Sequence, residues 1–403
     1  MAEPVAVADH LARVLAGVEP LSTHKLKLLD ALGHPVAEDV VAPIALPRFD
    51  NSAMDGYAVQ FRDVSDARHD RPIHLPVVAE FGAGPTTSHV LEAGTAVKIM
   101  TGAPIPIGCD AVVPYEWTDR GSDEVLISQP PTRGQNIRRA GDDVEEGEVV
   151  VSAGTVLGPR QIGLLAAVGR AEVLTRPRPR VVVISTGSEL RDPGEALEPG
   201  TIFDANSFLL AAAVRAAGGI AYRVGAVSDD SRSFAEALED ELTRADLVIT
   251  SGGISEGDFD VVKEALRGDL WFGKLAMQPG KPQGFGLFGA QRTPVITLPG
   301  NPVSSYVSFR VFVVPAIRKL LGRTPFEQPL RSATLSHGLT SSPGRQQYVR
   351  AFCESSVVTP VGGSGSHLLG DLATSNALIV VPAETTSLAP GDPVSVLMLD
   401  EEF

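Results

Sequence analysis

The stretch "DLVITSGGISEGDFD" (Asp246–Asp260) decides the fold. Leu247 to Thr250 reads as a strand buried on both faces, and it ends directly in Ser251-Gly252-Gly253. Two other places repeat the pattern: "VVVIS" (181–185) runs into "TGSEL" (186–190), and "PVITL" (294–298) runs into "PGNPVSS" (299–305). Helical periodicity fills the intervals. "NSFLLAAAVRAAGG" (206–219) starts with an Asn cap, and "SRSFAEALEDELTRA" holds Ser233 and Glu236 at capping-box spacing. "PVSSYVSFRVFVVPAIRKLLG" (302–322) has Pro302 in its first turn and a kink expected at Pro315. Strand alternating with helix predicts an α/β domain with a mostly parallel sheet, which binds ligands at the carboxyl ends of its strands.

Working outward, "PVAVADHLARVLAGVE" (4–19) is an amphipathic helix. From Val36 to Val151 short β-rich runs alternate with Gly/Pro/Asp turns, which predicts a β-rich module. "GPRQIGLLAAVG" (158–169) returns to helix with Gly169 as its cap, and "RPRPR" (176–180) is a stiff linker. From Pro329 onward short strands predict a small β-barrel. A chain of 403 residues with 43% hydrophobic content supports several domains of this kind. A net charge of −15 without a Lys/Arg block argues against a nucleic-acid partner. Two cysteines in unrelated contexts exclude a disulfide framework or a Cys-based zinc site. No apolar run suggests a membrane span, and the N-terminus lacks the pattern of a signal peptide, so the expected compartment is the cytoplasm.

The chemistry gathers at the strand ends. Each glycine loop alone is compatible with an ordinary strand-to-helix turn. Three at one sheet edge point to a phosphate- or nucleotide-like ligand approached by backbone N–H groups. Glu189, Asp204, Asp229, Asp230, Asp258 and Asp260 converge on the same edge. Carboxylates without Cys or His neighbours suit a hard cation such as Mg²⁺, although helix capping accounts for any one of them. In "WFGKLAMQPGKPQGFG" (271–286), Lys274 and Lys281 flank a Pro-Gly turn and could face an oxyanion or solvent. "PRFDNSAMDGYAV" (Pro47–Val59) crowds Asp50, Asn51, Ser52 and Asp55 into one turn, for which local turn chemistry is the plain explanation. "GQNIRRAGDDVEEGE" (134–148) reads locally as a charged turn.

Taken in order, "FDNSAMDGYAV", "IMTGAPIPIGCDAVV", "GQNIRRAGDDV", "VISTGSEL", "TSGGISEGDFDVVKE", "PGKPQGFG" and "LPGNPVSS" resemble the molybdopterin molybdenumtransferase family, whose branches include bacterial MoeA and the E-domain of gephyrin. The tail from "GRQQYVRAF" to "ALIVVP" continues the resemblance, so it spans nearly the whole chain. It implies an elongated, head-to-tail homodimer of four-part subunits. A linker domain would comprise residues 1–44 and 140–178, and an inserted β-rich domain residues 45–139. An α/β, MogA/MoaB-like molybdopterin-binding domain would follow at 179–327, then a C-terminal β-barrel at 328–403. Asp55, with Thr101 and Asp143, would reach across the dimer into the partner's site. Glu189, Asp229, Asp260 and Lys274 would come from the α/β domain, the three acids as Mg²⁺ ligands. Lys281, Pro282, Ser304, Arg345 and Ser366 resemble oxyanion-holding positions. Thr186, Gly187, Ser251, Gly252, Gly253, Ser255, Pro279, Gly280, Pro299, Gly300 and Asn301 would complete the binding loops.

The implied reaction converts molybdate and adenylylated molybdopterin, supplied by a molybdopterin adenylyltransferase, to molybdenum cofactor and AMP. Three positions depart from the family pattern: Gln278 where the family often has a second lysine, Asp142 where Glu is common, and Glu256 within the "SGG" loop; the net change is toward less positive charge. Two alternatives remain open at this level: a gephyrin-like scaffold that binds a linear peptide beside its barrel, and a plain nucleotide-binding α/β protein.

Overall fold

The computed structural model describes residues 3–84, 89–227, 231–254 and 261–401. They form two compact units, one of residues 1–24 with 175–403 and one of residues 25–174.

In the first unit a six-stranded sheet is built from β1 (Arg180–Thr186), β2 (Ile220–Val227), β3 (Leu247–Ser251), β4 (Leu270–Lys274), β5 (Pro282–Phe288) and β6 (Thr293–Leu298), in the order β2-β1-β3-β6-β5-β4. The first four in that order are parallel, with Ser185 opposite Ser251 and Ser251 opposite Leu298. β5 and β4 are antiparallel additions, so the sheet is mostly parallel as expected. Burial explains the apolar runs. Val181, Val183, Leu247, Ile249 and Ile296 pack on one face against Val14, Leu210, Val214, Phe309 and Ile317. Val182, Ile184, Val248 and Val295 pack on the other against Phe234, Leu238, Val262 and Leu266. Each such fully buried aliphatic side chain contributes about 1.5–3 kcal/mol.

The helices are α1 (Val7–Ala16), α2 (Ala205–Ala216), α3 (Ser231–Leu242), α4 (Val261–Ala265), α5 (Pro302–Ser308) and α6 (Val314–Leu320). Two capping expectations are corrected. Asp204, not Asn206, caps α2: its carboxylate accepts from the Ser207 N–H at 3.0 Å. Ser233 lies inside α3 rather than at its cap. The kink expected at Pro315 is a π-helical turn, Phe309–Val313, between α5 and α6, which absorbs the missing proline N–H.

The barrel strands are β7 (Arg331–Leu335), β8 (Gln346–Glu354), β9 (Val357–Pro360), β10 (Ala377–Val381) and β11 (Pro393–Met398). They follow the order β8-β9-β7-β11-β10 and close through a β8–β10 pairing around Leu335, Ala351, Val358, Ile379 and Val396.

The second unit holds a five-stranded sheet of Ala111–Pro114, Gly56–Val59, Ala96–Ile99, Ile73–Phe81 and Glu124–Ile127, in that order. A separate core gathers Ala31, Val36, Val40, Val151, Leu157, Leu165 and Val173. The helix Pro159–Ala167 ends at Gly169, whose φ of +82° only glycine adopts without strain. Within the expected linker segment 1–44, Val14 and Val18 share the core of the α/β sheet.

α1 buries Val7, His10, Leu11 and Val14 on one face. His10 lies 5.1 Å from the Trp271 ring and 4.8 Å from the Phe312 ring, and neither ring nitrogen has a partner. Burial first, then the Arg13 charge, holds its pKa at about 4. An unfolded histidine titrates near ~6.5, so between ~6.5 and about 4 the unfolded chain binds a proton that the native chain refuses, and stability falls with pH across that window. From pH ~7 to ~4.5, the native chain is expected to lose about 2–3 kcal/mol more than His10→Leu in urea unfolding. Equal losses would remove His10 as the cause.

Candidate active site

The carboxyl ends of β1, β3 and β6 open onto a cavity of about 850 Å³. Thr186, Gly187 and Glu189 follow β1; Ser251, Gly252 and Gly253 end β3; Pro299, Gly300, Asn301 and Ser304 follow β6. The β4–β5 connection adds Gln278, Pro279, Gly280, Lys281 and Pro282, and the barrel adds Arg345, Ser364, Ser366 and His367. All the expected binding residues except Ser255 thus share one wall. Ser255, Glu256, Asp229, Asp230, Asp258 and Asp260 lie outside the described residues.

Close backbone approach explains the glycines. Gly252 has a φ of +96°, and a Cβ there would stand 2.9 Å from the Thr186 carbonyl oxygen. A Cβ on Gly253 would stand 2.8 Å from Val262. Gly300 packs against the backbone of Gly252, where a Cβ would meet the Cα at 3.5 Å.

Side chains tie these loops together. Asn206 donates to Ser251 Oγ at 2.9 Å and to the Gly300 carbonyl at 2.6 Å, and so joins two of the strand ends. Asn301 donates to Ser366 Oγ at 3.0 Å, and the Val303 N–H to the Ser366 carbonyl at 3.1 Å. The barrel loop is set from below by Arg350, which is 5% exposed and donates to the carbonyls of Gly365, at 3.0 Å, and Gly363. Burial lowers the Arg350 pKa, and Asp371 partly restores it. Asp204 spends one oxygen on the cap and on Ser185 Oγ, at 3.2 Å, while its buried Oδ2 has no hydrogen-bond partner among the described residues. Glu189 and Asp204 are the described carboxylates on the cavity wall. Among the described residues no cluster of three His, Cys, Asp or Glu side chains could hold a metal.

Lys274 does not line the cavity. It ends β4 opposite Pro282, and its main chain continues into the lining loop. Asp55, Thr101 and Asp143 belong to the second unit. Asp55 accepts from the Thr101 N–H at 2.7 Å and from its hydroxyl at 2.9 Å, and these two bonds, in that order, hold its carboxyl below the usual range. The Asp143 N–H donates to Leu46. Local chemistry accounts for the rest of the opening turn: Asp50 binds Arg139 and the Ala140 N–H, Asn51 binds the Phe49 carbonyl, and Ser52 binds Met54. Desolvation opposes ionisation of Asp50, but the Ala140 and Arg139 bonds prevail and lower its pKa.

Sequence reading missed Asn206 as a bridge, Ser364 and His367 as lining groups, and Arg350 as their support. "GSGSH" next to Ser366 was the available signal for Ser364 and His367, whereas Asn206 was taken as a cap.

Three nucleotide- or cofactor-scale features therefore coincide: a doubly covered parallel sheet, glycine loops at its carboxyl edge and cations beside them. They define a ligand-transforming α/β domain with an appended barrel. Residues 5–169 match the MoeA N-terminal region (domain I and II), residues 182–319 a probable molybdopterin binding domain, and residues 332–399 the MoeA C-terminal region (domain IV). The chain is 44% identical to molybdopterin molybdenumtransferase 2 of Mycobacterium tuberculosis, with 96% of each chain covered. It is 37% identical to molybdopterin molybdenumtransferase of Haemophilus influenzae, with 94% of each covered. The crystal structure of the molybdopterin biosynthesis MoeA protein from Pyrococcus horikoshii superposes with a TM-score of 0.86 at 32% identity, covering 99% of this chain and 100% of that one. The chain belongs to the MoeA family of molybdopterin molybdenumtransferases.

Gly252→Ala is expected to cost about 1–3 kcal/mol in urea unfolding, because it adds both φ strain and a clash. Gly163→Ala, in the open middle of the helix Pro159–Ala167, should instead gain about 0.5–1 kcal/mol. A neutral Gly252→Ala would mean that the loop does not need this close approach.

Proposed function

We propose that this transferase inserts molybdenum into molybdopterin, taking adenylylated molybdopterin and molybdate and releasing AMP, with Mg²⁺ as cofactor. The observation that carries the reading is the single cavity on which Lys281, Arg345, Ser304 and Ser366 meet the glycine-tipped loops. A cation ~4 Å from an oxyanion contributes about 4 kcal/mol at an effective dielectric of ~20, enough to overcome the overall negative charge locally. Lys281 and Arg345 neutralise the molybdate, and the Ser304 and Ser366 hydroxyls donate to its oxygens. Gln278 supplies a neutral amide where a further cation would tighten that hold. Loop N–H groups other than that of Gly252, which donates to the Leu298 carbonyl, hold the phosphate moiety, so the reaction rests on positioning and charge neutralisation more than on a protein nucleophile.

The described wall carboxylates, Glu189 and the orphaned Asp204 Oδ2, offer oxygen donors of the type Mg²⁺ takes. Glu189, Asp229 and Asp260 would hold that ion, whose chemistry is to offset phosphate charge as the phosphoanhydride breaks. We also propose a cytoplasmic homodimer of four-part subunits, in which Asp55, Thr101 and Asp143 complete the partner's site; a molybdopterin adenylyltransferase acts upstream.

Purified chain given adenylylated molybdopterin, molybdate and Mg²⁺ should release AMP, and Asp260→Ala should abolish that release while the chain stays folded. A folded dimer without AMP release would instead favour a scaffold role. Mixing Asp55→Ala with Asp260→Ala chains should restore one working site in each mixed dimer. No recovery in the mixture would mean that each subunit works alone.

A further inference from the structure

Val5 stands just ahead of α1 and forms a one-residue parallel bridge with Leu275. Its N–H donates to the Lys274 carbonyl at 2.8 Å, and its carbonyl accepts from the Ala276 N–H at 2.8 Å. On the far side of the same run, the Ala276 carbonyl accepts from the Gln346 N–H at 2.9 Å, and Met277 and Gln278 pair in parallel with Gln346 and Gln347. The main chain of residues 274–278 is therefore clamped between the N-terminus and the first strand residues after Arg345. The Leu275 N–H then donates to the Lys281 carbonyl at 2.7 Å and closes the loop. That loop supplies Met277 through Pro282 to the cavity wall.

Packing follows the same path. Val7 and Leu11 of α1 share a core cluster with Leu275, Met277, Val303, Val307 and Phe312. The far end of α1 is pinned as well, because Lys319 Nζ donates to the Leu15 carbonyl at 2.8 Å. Without Val5, two of the loop's main-chain groups would lose their partners, and one edge of the 274–278 run would be open to solvent.

We propose that residues 5–16 are a positioning strap: Val5 sets the path of the Lys274–Lys281 loop and thereby the spacing of Lys281 and Arg345 on the cavity wall. Val5 touches no substrate and acts through its main chain. The inference rests on the reading of Lys281 and Arg345 as the oxyanion wall.

The test uses the full chain with Val5→Pro, which removes the donated hydrogen bond, against Val5→Ala, which keeps it. In Val5→Pro, amide hydrogen exchange at Leu275 and Ala276 should quicken at least tenfold. The half-saturating molybdate concentration for AMP release should rise about tenfold, with kcat within twofold of the native value. Val5→Ala should match the native chain in both readouts. If Val5→Pro fails to fold, Val7→Ala, which loosens the docking of α1 without touching the bridge, should give a smaller shift in the same direction. Faster exchange with unchanged molybdate dependence would overturn the strap, and so would unchanged exchange. A separate Lys281→Ala variant keeps the two ideas apart: unchanged molybdate dependence there would sink the oxyanion reading, while the exchange result would still report on the clamp.

Discussion

Parallel strands buried on both faces have to finish at the same edge. In this protein Ser185, Ser251 and Leu298 stand side by side in register, so the three loops that follow them emerge together. Those loops cannot diverge immediately, because helices cover both faces of the sheet and the chain must turn within a few residues. The turn is made where Gly252 lies against Thr186 and Gly300 against Gly252, contacts that a Cβ would either block or crowd. The cavity is thus a by-product of how the core packs. The same hydrophobic register that stabilises the sheet delivers the glycine loops to one place.

Among the described residues, the cavity-lining residues that follow the parallel strands carry no positive charge. Their loops carry Glu189, Asn301 and hydroxyls, whereas Lys281 arrives on the antiparallel β4–β5 connection and Arg345 on the barrel. The two reach one cavity because the run 274–278 pairs with Gln346 and Gln347. A chain of net charge −15 therefore sets two cations, Lys281 and Arg345, on a cavity wall that also carries Glu189 and Asp204, at the seam between a sheet and a barrel. Arg350, buried beneath the barrel loop and bound to two carbonyls, makes that seam a fixed surface.

The contrast between what could be read from the residues and what could not follows from burial. β1, β3 and β6 are unbroken apolar runs because both their faces are covered, and such runs are legible. In residues 271–286 only the Pro-Gly turn between Lys274 and Lys281 is legible, and the strands β4 and β5 are not, because β5 is rich in glycine. A Cβ on Gly284 would stand 2.4 Å from Thr297 Oγ1, and one on Gly286 would stand 2.8 Å from the Asp269 carbonyl oxygen. Packing against neighbouring strands demands those glycines, and it erases the β signal. The cavity loops were legible as glycine-rich strand ends. Ser364 and His367 were not, since only the closure of the barrel brings residue 366 beside Asn301. Asn206 looked like a cap because it stands two residues after the true one.

The turn at residues 50–55 holds its polar side chains in different ways. Asp50 clasps Arg139 and the Ala140 N–H, Asn51 and Ser52 satisfy nearby carbonyls, and all three serve the local fold. Asp55 differs. It is exposed, yet two hydrogen bonds from Thr101 fix its orientation and lower its pKa. Both bonds converge on Oδ1, and no protein hydrogen bond to Oδ2 is seen among the described residues. A surface carboxylate pair contributes little to stability, because water competes for both partners. The two bonds from Thr101 therefore orient the exposed carboxylate without burying it.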